Sequence, residues 1–234
     1  MKVLSLFSGA GMGDLGLMLS GMDIVGQVEI DEYCQKILAF RWPDVPKWRD
    51  IKDVTGKEIA EKCGIINLIT GGFPCQPFST AGKRHGTKDN RYLWPEMFRI
   101  ISTCRPRWVI VENVSGILEF EIDKILSDLE SKNYQTVSIV FPAHALGAPH
   151  KRDRLWVVAY TYNGSRCAEQ KKQQEVGANF INGFVWWKTE PKICRVDDGS
   201  PNRMDRLKCL GNGQVPMCTR FIGETIMRFE REQG

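Results

Sequence analysis

Cys75 stands between Pro74 and Pro77 in the run Gly71-Gly72-Phe73-Pro74-Cys75-Gln76-Pro77-Phe78-Ser79, directly after an apolar stretch that reads as a buried strand. Each proline fixes its own φ, so the thiol sits on a stiff loop rather than in a packed helix. A cysteine that only filled a core would need no such rigidity, because free cysteine packs like any small apolar residue. A second stretch able to do chemistry lies near the N-terminus. Phe7-Ser8-Gly9-Ala10-Gly11-Met12-Gly13 follows the first apolar run and leads into a helical pattern. Glycines there let the backbone turn sharply and approach a ligand at the helix N-terminus. Many nucleotide-binding folds share such a turn, and a tight structural turn has the same appearance. Glu29 ends the next apolar run, where an acidic side chain in such folds accepts hydrogen bonds from ribose hydroxyls. Asp50 follows a further short extended stretch, a position from which it could meet an adenine amino group. Taken in order, the three features point to a nucleotide-like ligand.

The elements that must position these groups alternate in type. Residues 2–6, 23–29, 65–70, 108–114, 136–141 and 155–160 read as strands, with 108–114 the strongest signal. Residues 12–20, 32–40, 94–104 and 122–131 read as helices, and in the second of these Tyr33, Ile37 and Phe40 share one face. This alternation predicts an α/β fold: a mostly parallel twisted sheet, right-handed crossovers and helices on both faces. Beyond residue 161 the pattern decays into Gly, Asn, Gln and charged residues, followed by Trp186-Trp187. Regular structure is expected again as a helix over 215–231, just after Gly211-Asn212-Gly213.

Composition narrows the class. A chain of 234 residues with 42% hydrophobic and 26% charged residues suits one large domain with a small appendage. No apolar run is long enough to cross a bilayer and the first residues lack a signal-peptide pattern, so a cytoplasmic location is expected. Eight cysteines and three histidines include no CxxC pair, which predicts reduced thiols and no metal site. The formal net charge of +4 is a weak lean towards an anionic partner, and residues 161–208 hold nine Lys and Arg against six Asp and Glu.

Pro74-Cys75-Gln76 in this setting resembles the nucleophile motif of the DNA cytosine-5 methyltransferases. The rest of the chain follows that family's order. Leu4-Ser5-Leu6-Phe7-Ser8-Gly9-Ala10-Gly11 resembles its cofactor motif and Glu112-Asn113-Val114 its Glu-Asn-Val motif. His150-Lys151-Arg152-Asp153-Arg154 resembles the motif with two alternating arginines, and Gly211-Asn212-Gly213-Gln214-Val215-Pro216 the final Gly-Asn motif. The resemblance implies a Rossmann-like fold of the S-adenosylmethionine-dependent class. It implies a catalytic, cofactor-binding domain over 1–160, a reduced target-recognition region over 161–208, and a C-terminal helix within 209–234 that completes the first domain.

It also implies site residues. Cys75, Glu112, Arg152 and Arg154 would be catalytic. S-adenosylmethionine would meet Phe7 (packed on adenine), Ser8, Gly9, Gly11, Met12, Glu29, Ile30, Asp50, Ile51, Gly72, Pro74, Leu93 and Asn212. Double-stranded DNA would meet Gln76, Ser79, Lys83, Arg84 and Asn113. Cytosine C5 is a poor nucleophile; a thiolate added to C6 turns the ring into an enamine whose C5 can attack a sulfonium methyl group. Cys75 would supply that thiolate, with Arg152 or Arg154 lowering its pKa, although either could instead hold a phosphate or orient Glu112. Glu112 would donate a proton or hydrogen bond to N3. The target base must leave the duplex stack, at a cost of roughly a few kcal/mol. The loop Thr80-Ala81-Gly82-Lys83-Arg84-His85-Gly86 resembles a mobile segment that closes over DNA.

The chain departs from the family in one respect above all. About fifty residues separate Arg154 from Gly211, where the family carries a sizeable recognition region. A cytosine-5 methyltransferase acting on tRNA, and a weakly active or non-catalytic DNA-binding relative, are therefore the alternatives.

Overall fold

A computed structural model describes residues 1–74, 92–119, 121–161 and 203–233. Within the described residues seven strands form one sheet: β1 (Lys2–Leu6), β2 (Asp23–Val28), β3 (Lys47–Trp48), β4 (Leu68–Gly71), β5 (Trp108–Val114), β6 (Gln135–Pro142) and β7 (Asp153–Tyr160). Their order is β3-β2-β1-β4-β5-β7-β6. All pairings are parallel except those of β7, which runs antiparallel to both β5 and β6. This is the mostly parallel arrangement that the alternation predicts, and the Rossmann-like fold that the resemblance implies. Strand order reverses between β1 and β4, and such a switch point opens a crevice at the carboxyl ends of the strands.

Among the described residues seven α-helices accompany the sheet: α1 (Met12–Leu19), α2 (Glu32–Arg41), α3 (Gly56–Cys63), α4 (Trp94–Cys104), α5 (Ile122–Glu130), α6 (Arg203–Asn212) and α7 (Pro216–Gln233). Period-2 alternation divides the strands between two cores. Leu4, Leu6, Ile69, Val109 and Val111 face α3, α4 and α5, where Ile59, Trp94, Met97 and Leu129 are shut from solvent. Val3, Leu68, Trp108, Ile110 and Trp156 face the other way, onto Leu17 of α1 and Cys218, Ile222 and Ile226 of α7. α1 and α7 pack closely because Gly16 carries no side chain; a Cβ there would lie 2.1 Å from Thr219 Oγ1 and 2.2 Å from the Pro216 carbonyl oxygen.

Four expectations need correction. In α2 the buried residues are Cys34 and Leu38, while Phe40 is 88% exposed. A 3.6-residue period cannot choose between adjacent stripes; packing of Cys34 and Leu38 against the body decides it, while Asp31 Oδ1 caps the helix start by accepting from the Tyr33 and Cys34 amides. The strand expected from residue 65 begins at Leu68, and Ile65 points into solvent. α3 went unforeseen, although Thr55 and Glu58 close a reciprocal capping box at its start. α6 was also unforeseen: Gly211 and Asn212 are the end of a helix that begins at Arg203.

Candidate active site

The carboxyl ends of five strands, β1 to β5, converge on one cleft of about 820 Å³, a size usual for small-molecule sites. Phe7 follows β1 with φ at +56°. Gly9 comes two residues later and its amide donates to Glu29 Oε2 at 2.7 Å. The Asp31 amide donates to the other carboxylate oxygen at 2.8 Å, so Glu29 is held at the end of β2 by backbone from both sides. Gly11 caps α1 in the left-handed region at φ +76°, and a Cβ on it would strike the Trp42 ring at 2.4 Å. Only glycine satisfies both demands.

Beneath this turn lies a buried hydrogen-bonded chain. Asp14 of α1 accepts from Ser5 Oγ at 2.6 Å and from Gln27 Nε2 at 2.7 Å, and Ser8 Oγ lies 2.9 Å from Ser5 Oγ. Burial without a cation raises the Asp14 pKa to about 6, against the pull of its two donors. The chain ties β2, α1, β1 and the turn together.

The opposite wall is built on β4 and β5. Glu112 and Arg154 are diagonal neighbours across the antiparallel β5–β7 pair, since Glu112 lies opposite Trp156 and Val114 opposite Arg154. Arg154 Nε sits 3.1 Å from Glu112 Oε1. Glu112 is 8% exposed. Burial pushes its pKa up, while Arg154 and then Arg152 pull it back. Gly72 leaves room for this acid, because a Cβ there would come within 2.9 Å of Oε2. Asn113 donates from Nδ2 to the Phe73 carbonyl oxygen at 3.2 Å and accepts from the Val114 amide at 2.9 Å, fixing the strand end that leads into the Pro74 loop.

The cleft is lined on the glycine-turn side by Phe7, Gly9, Glu29, Ile30, Asp50 and Ile51. Gly72, Pro74, Leu93, Glu112, Asn113 and Arg154 line it on the β4–β5 side, and Asn212 closes the end. Ser8 lines a small adjoining chamber shared with Asp14, Thr70 and Gln214. Gly11 and Met12 lie behind the turn, with Met12 beside Gly213. Arg152 does not line the cleft but binds residues that do: it donates to the carbonyl oxygens of Gly211, at 3.0 Å, and Gly213. It therefore pins the Gly-Asn stretch. Cys75, Gln76, Ser79, Lys83 and Arg84 lie outside the described residues, as does most of 161–208.

Sequence reasoning missed Asp14, Asp31, Cys34, Lys208 and Cys209. Asp14 carried a weak signal, a lone acid in an otherwise apolar helix. The other four carried none, because Asp31 meets Lys208 at 2.6 Å and Cys34 meets Cys209 at 3.2 Å across 177 and 175 residues of chain. Among the described residues no helix is long and apolar enough to cross a membrane, and no group of three or more His, Cys, Asp or Glu is placed to hold a metal.

Comparison with known proteins gives this geometry a family. The C-5 cytosine-specific DNA methylase profile matches residues 1–184. The type II methyltransferase M.AquIA of Picosynechococcus sp. is 33% identical over 175 residues, covering 67% of this chain and 71% of its own. M.HgiBI of Herpetosiphon aurantiacus is 28% identical over 230 residues, covering 96% of this chain and 48% of its own. A solved Escherichia coli prophage protein, described as a DNA modification methyltransferase, superposes with a TM-score of 0.60 at 28% identity, covering 69% of this chain and 47% of its own. The chain thus spans about half the length of the last two. With a profile match over more than half of its residues, the chain belongs to the C-5 cytosine-specific DNA methylase family.

Proposed function

We propose that this chain transfers a methyl group from S-adenosylmethionine to carbon 5 of cytosine in duplex DNA, through a covalent bond between Cys75 and C6 of the base. One observation carries the reading: a buried acid, Glu112, faces the same cleft as a carboxylate, Glu29, that the backbone holds ready for a polar ligand. In a DNA methylase family member, that pairing supports a base on one side and a nucleoside on the other.

The residues fit the methyl donor. Glu29 already takes two backbone N–H bonds and retains lone pairs for ribose hydroxyls. Phe7 and Ile30 would flank the adenine, Asp50 its amino group, and Asn212 would close the far end. S-adenosylmethionine supplies an electrophilic methyl group when bound there. The remaining work belongs to the protein. Cys75 thiolate adds to C6, and electron density moves onto the ring towards N3 and C5. Glu112, which burial biases towards the protonated form, gives N3 a proton or hydrogen bond and stabilises that charge. Arg154 orients the acid. Arg152 acts at a distance, holding the Gly211–Gly213 backbone that bounds the cleft. After methylation a base removes the C5 proton and the C6–S bond breaks, returning the thiol. Residues 1–160 and 209–234 form the catalytic unit in this reading, and 161–208 a reduced region that meets DNA.

Covalent trapping tests the proposal. A duplex containing 5-fluorocytosine, incubated with the protein and S-adenosylmethionine, should yield an adduct stable to denaturation, absent in Cys75→Ala. An adduct that survives in Cys75→Ala, or methyl incorporation into tRNA but not DNA, overturns it.

A further inference from the structure

α6 is an unusual wall for a binding cleft. Its apolar residues Met204, Leu207 and Leu210 are 75%, 45% and 63% exposed, and between residues 204 and 210 only Cys209 is half-buried. Packing therefore contributes little to holding it. It is tied to the body by point contacts: Lys208 Nζ to Asp31 Oδ2 at 2.6 Å, Cys209 Sγ to Cys34 Sγ at 3.2 Å, and Arg152 on the carbonyl oxygens at its end. The first two face the start of α2. Asp31, Cys34, Lys208, Cys209 and Asn212 all line the cleft. The thiols are free and their sulfurs stand 3.2 Å apart, roughly 1 Å beyond the length of a disulfide bond.

We propose that Cys34 and Cys209 form an oxidation site, where a hydroperoxide-class oxidant makes a disulfide that fastens α6 to α2 and slows exchange of the nucleotide cofactor. The proposal rests on the cofactor reading above. Cys209 is the more exposed thiol, and burial holds Cys34 protonated, so Cys209 meets the oxidant first. Its sulfur gives two electrons to the peroxide O–O bond, which breaks and releases water, leaving a sulfenic acid. Cys34 sulfur then displaces the hydroxyl, which leaves as water with the Cys34 proton. In total, two thiols and one hydrogen peroxide become one disulfide and two waters. The new bond reinforces the neighbouring Lys208–Asp31 contact, which salt and thermal motion can open because the lysine is largely exposed. Asn212, three residues beyond Cys209, moves with the helix, so fastening it limits the opening through which ligand leaves.

Full-length reduced protein should be treated with stoichiometric hydrogen peroxide, digested without reductant and mapped by mass spectrometry. In parallel, stopped-flow dissociation of S-adenosylmethionine should be measured before and after oxidation. A Cys34–Cys209 peptide is expected, with dissociation slowed roughly tenfold and restored by dithiothreitol. Cys209→Ser should give no such peptide and a dissociation rate indifferent to peroxide, although it retains Cys75. Over-oxidation of Cys209, its pairing with another thiol, or a mapped crosslink that leaves dissociation unchanged overturns the proposal. Reduced protein that binds no S-adenosylmethionine, with the crosslink still mapped, overturns the cofactor reading and with it the gating role, while the oxidation site stands.

Discussion

Asp14 and Glu112 are both carboxylates shut away from water, one below the glycine turn and one at the end of β5, and the protein satisfies them differently. Asp14 has neutral donors only, a hydroxyl and an amide. Glu112 has a guanidinium beside it and a second one nearby. Burial raises the pKa of each. The difference lies in what the rest of the molecule needs from them. The Asp14 chain links three elements and the turn, and nothing about it faces the open cleft. Glu112 faces the cleft, has Gly72 cleared from its path, and has a cation that orients it without stripping its proton bias. A buried acid among neutral donors serves as a tie; a buried acid paired to a guanidinium and open to the cleft can serve as a reagent.

That contrast can be broken at each end. Glu112→Gln keeps the shape but offers no transferable proton, so single-turnover methylation should fall roughly 10²- to 10⁴-fold. S-adenosylmethionine affinity, measured by calorimetry, should stay nearly constant. A similar loss on both measurements would mean that the acid holds cofactor rather than acting on the base. Arg154→Met leaves the acid buried and unpaired, which should cost about 3–5 kcal/mol where Glu112 is ionised. An acid whose folded pKa is raised loses its stability contribution as pH rises through that value. The loss in urea unfolding should therefore be larger at pH 8 than at pH 5, and adding Glu112→Gln should recover stability without activity.

For Asp14 the same sign holds with a defined window. The folded value is about 6 against 3.8 for the free side chain, so wild-type stability should decline between about pH 4 and pH 6 by on the order of 3 kcal/mol. Asp14→Asn should flatten that decline in unfolding experiments, while loosening the Ser5–Ser8 link and weakening cofactor binding a few-fold. A pH profile unchanged by the substitution would remove Asp14 from the role of buried tie. The smallest change in stability is expected at Gly72→Ala. Its Cβ would displace Glu112 by a few tenths of an ångström, lowering the methylation rate roughly tenfold with little change in stability.

Much of this molecule is written locally. Residues 108–114 form β5 and 94–104 form α4 as the apolar pattern predicts, because burial on both faces leaves few other uses for such runs. The glycine turn, the acid at the end of β2 and the Glu-Asn pair at the end of β5 were legible because each depends on its own strand end. α3 was legible in principle, through Thr55 and Glu58, and was passed over because its apolar content is slight. α6 could not be read: a helix that buries almost nothing has no hydrophobic period to show.

The sequence alone determined the family, the strand–helix alternation and the identities of the residues with chemistry to offer, since motif order and side-chain type are properties of the chain. Only the tertiary structure decided where Arg152 and Arg154 point, which stripe of α2 is buried, that Asp14 anchors the turn and that Cys34 meets Cys209. These are pairings between groups up to 177 residues apart. Their energies depend on distance and burial, and no local pattern encodes either.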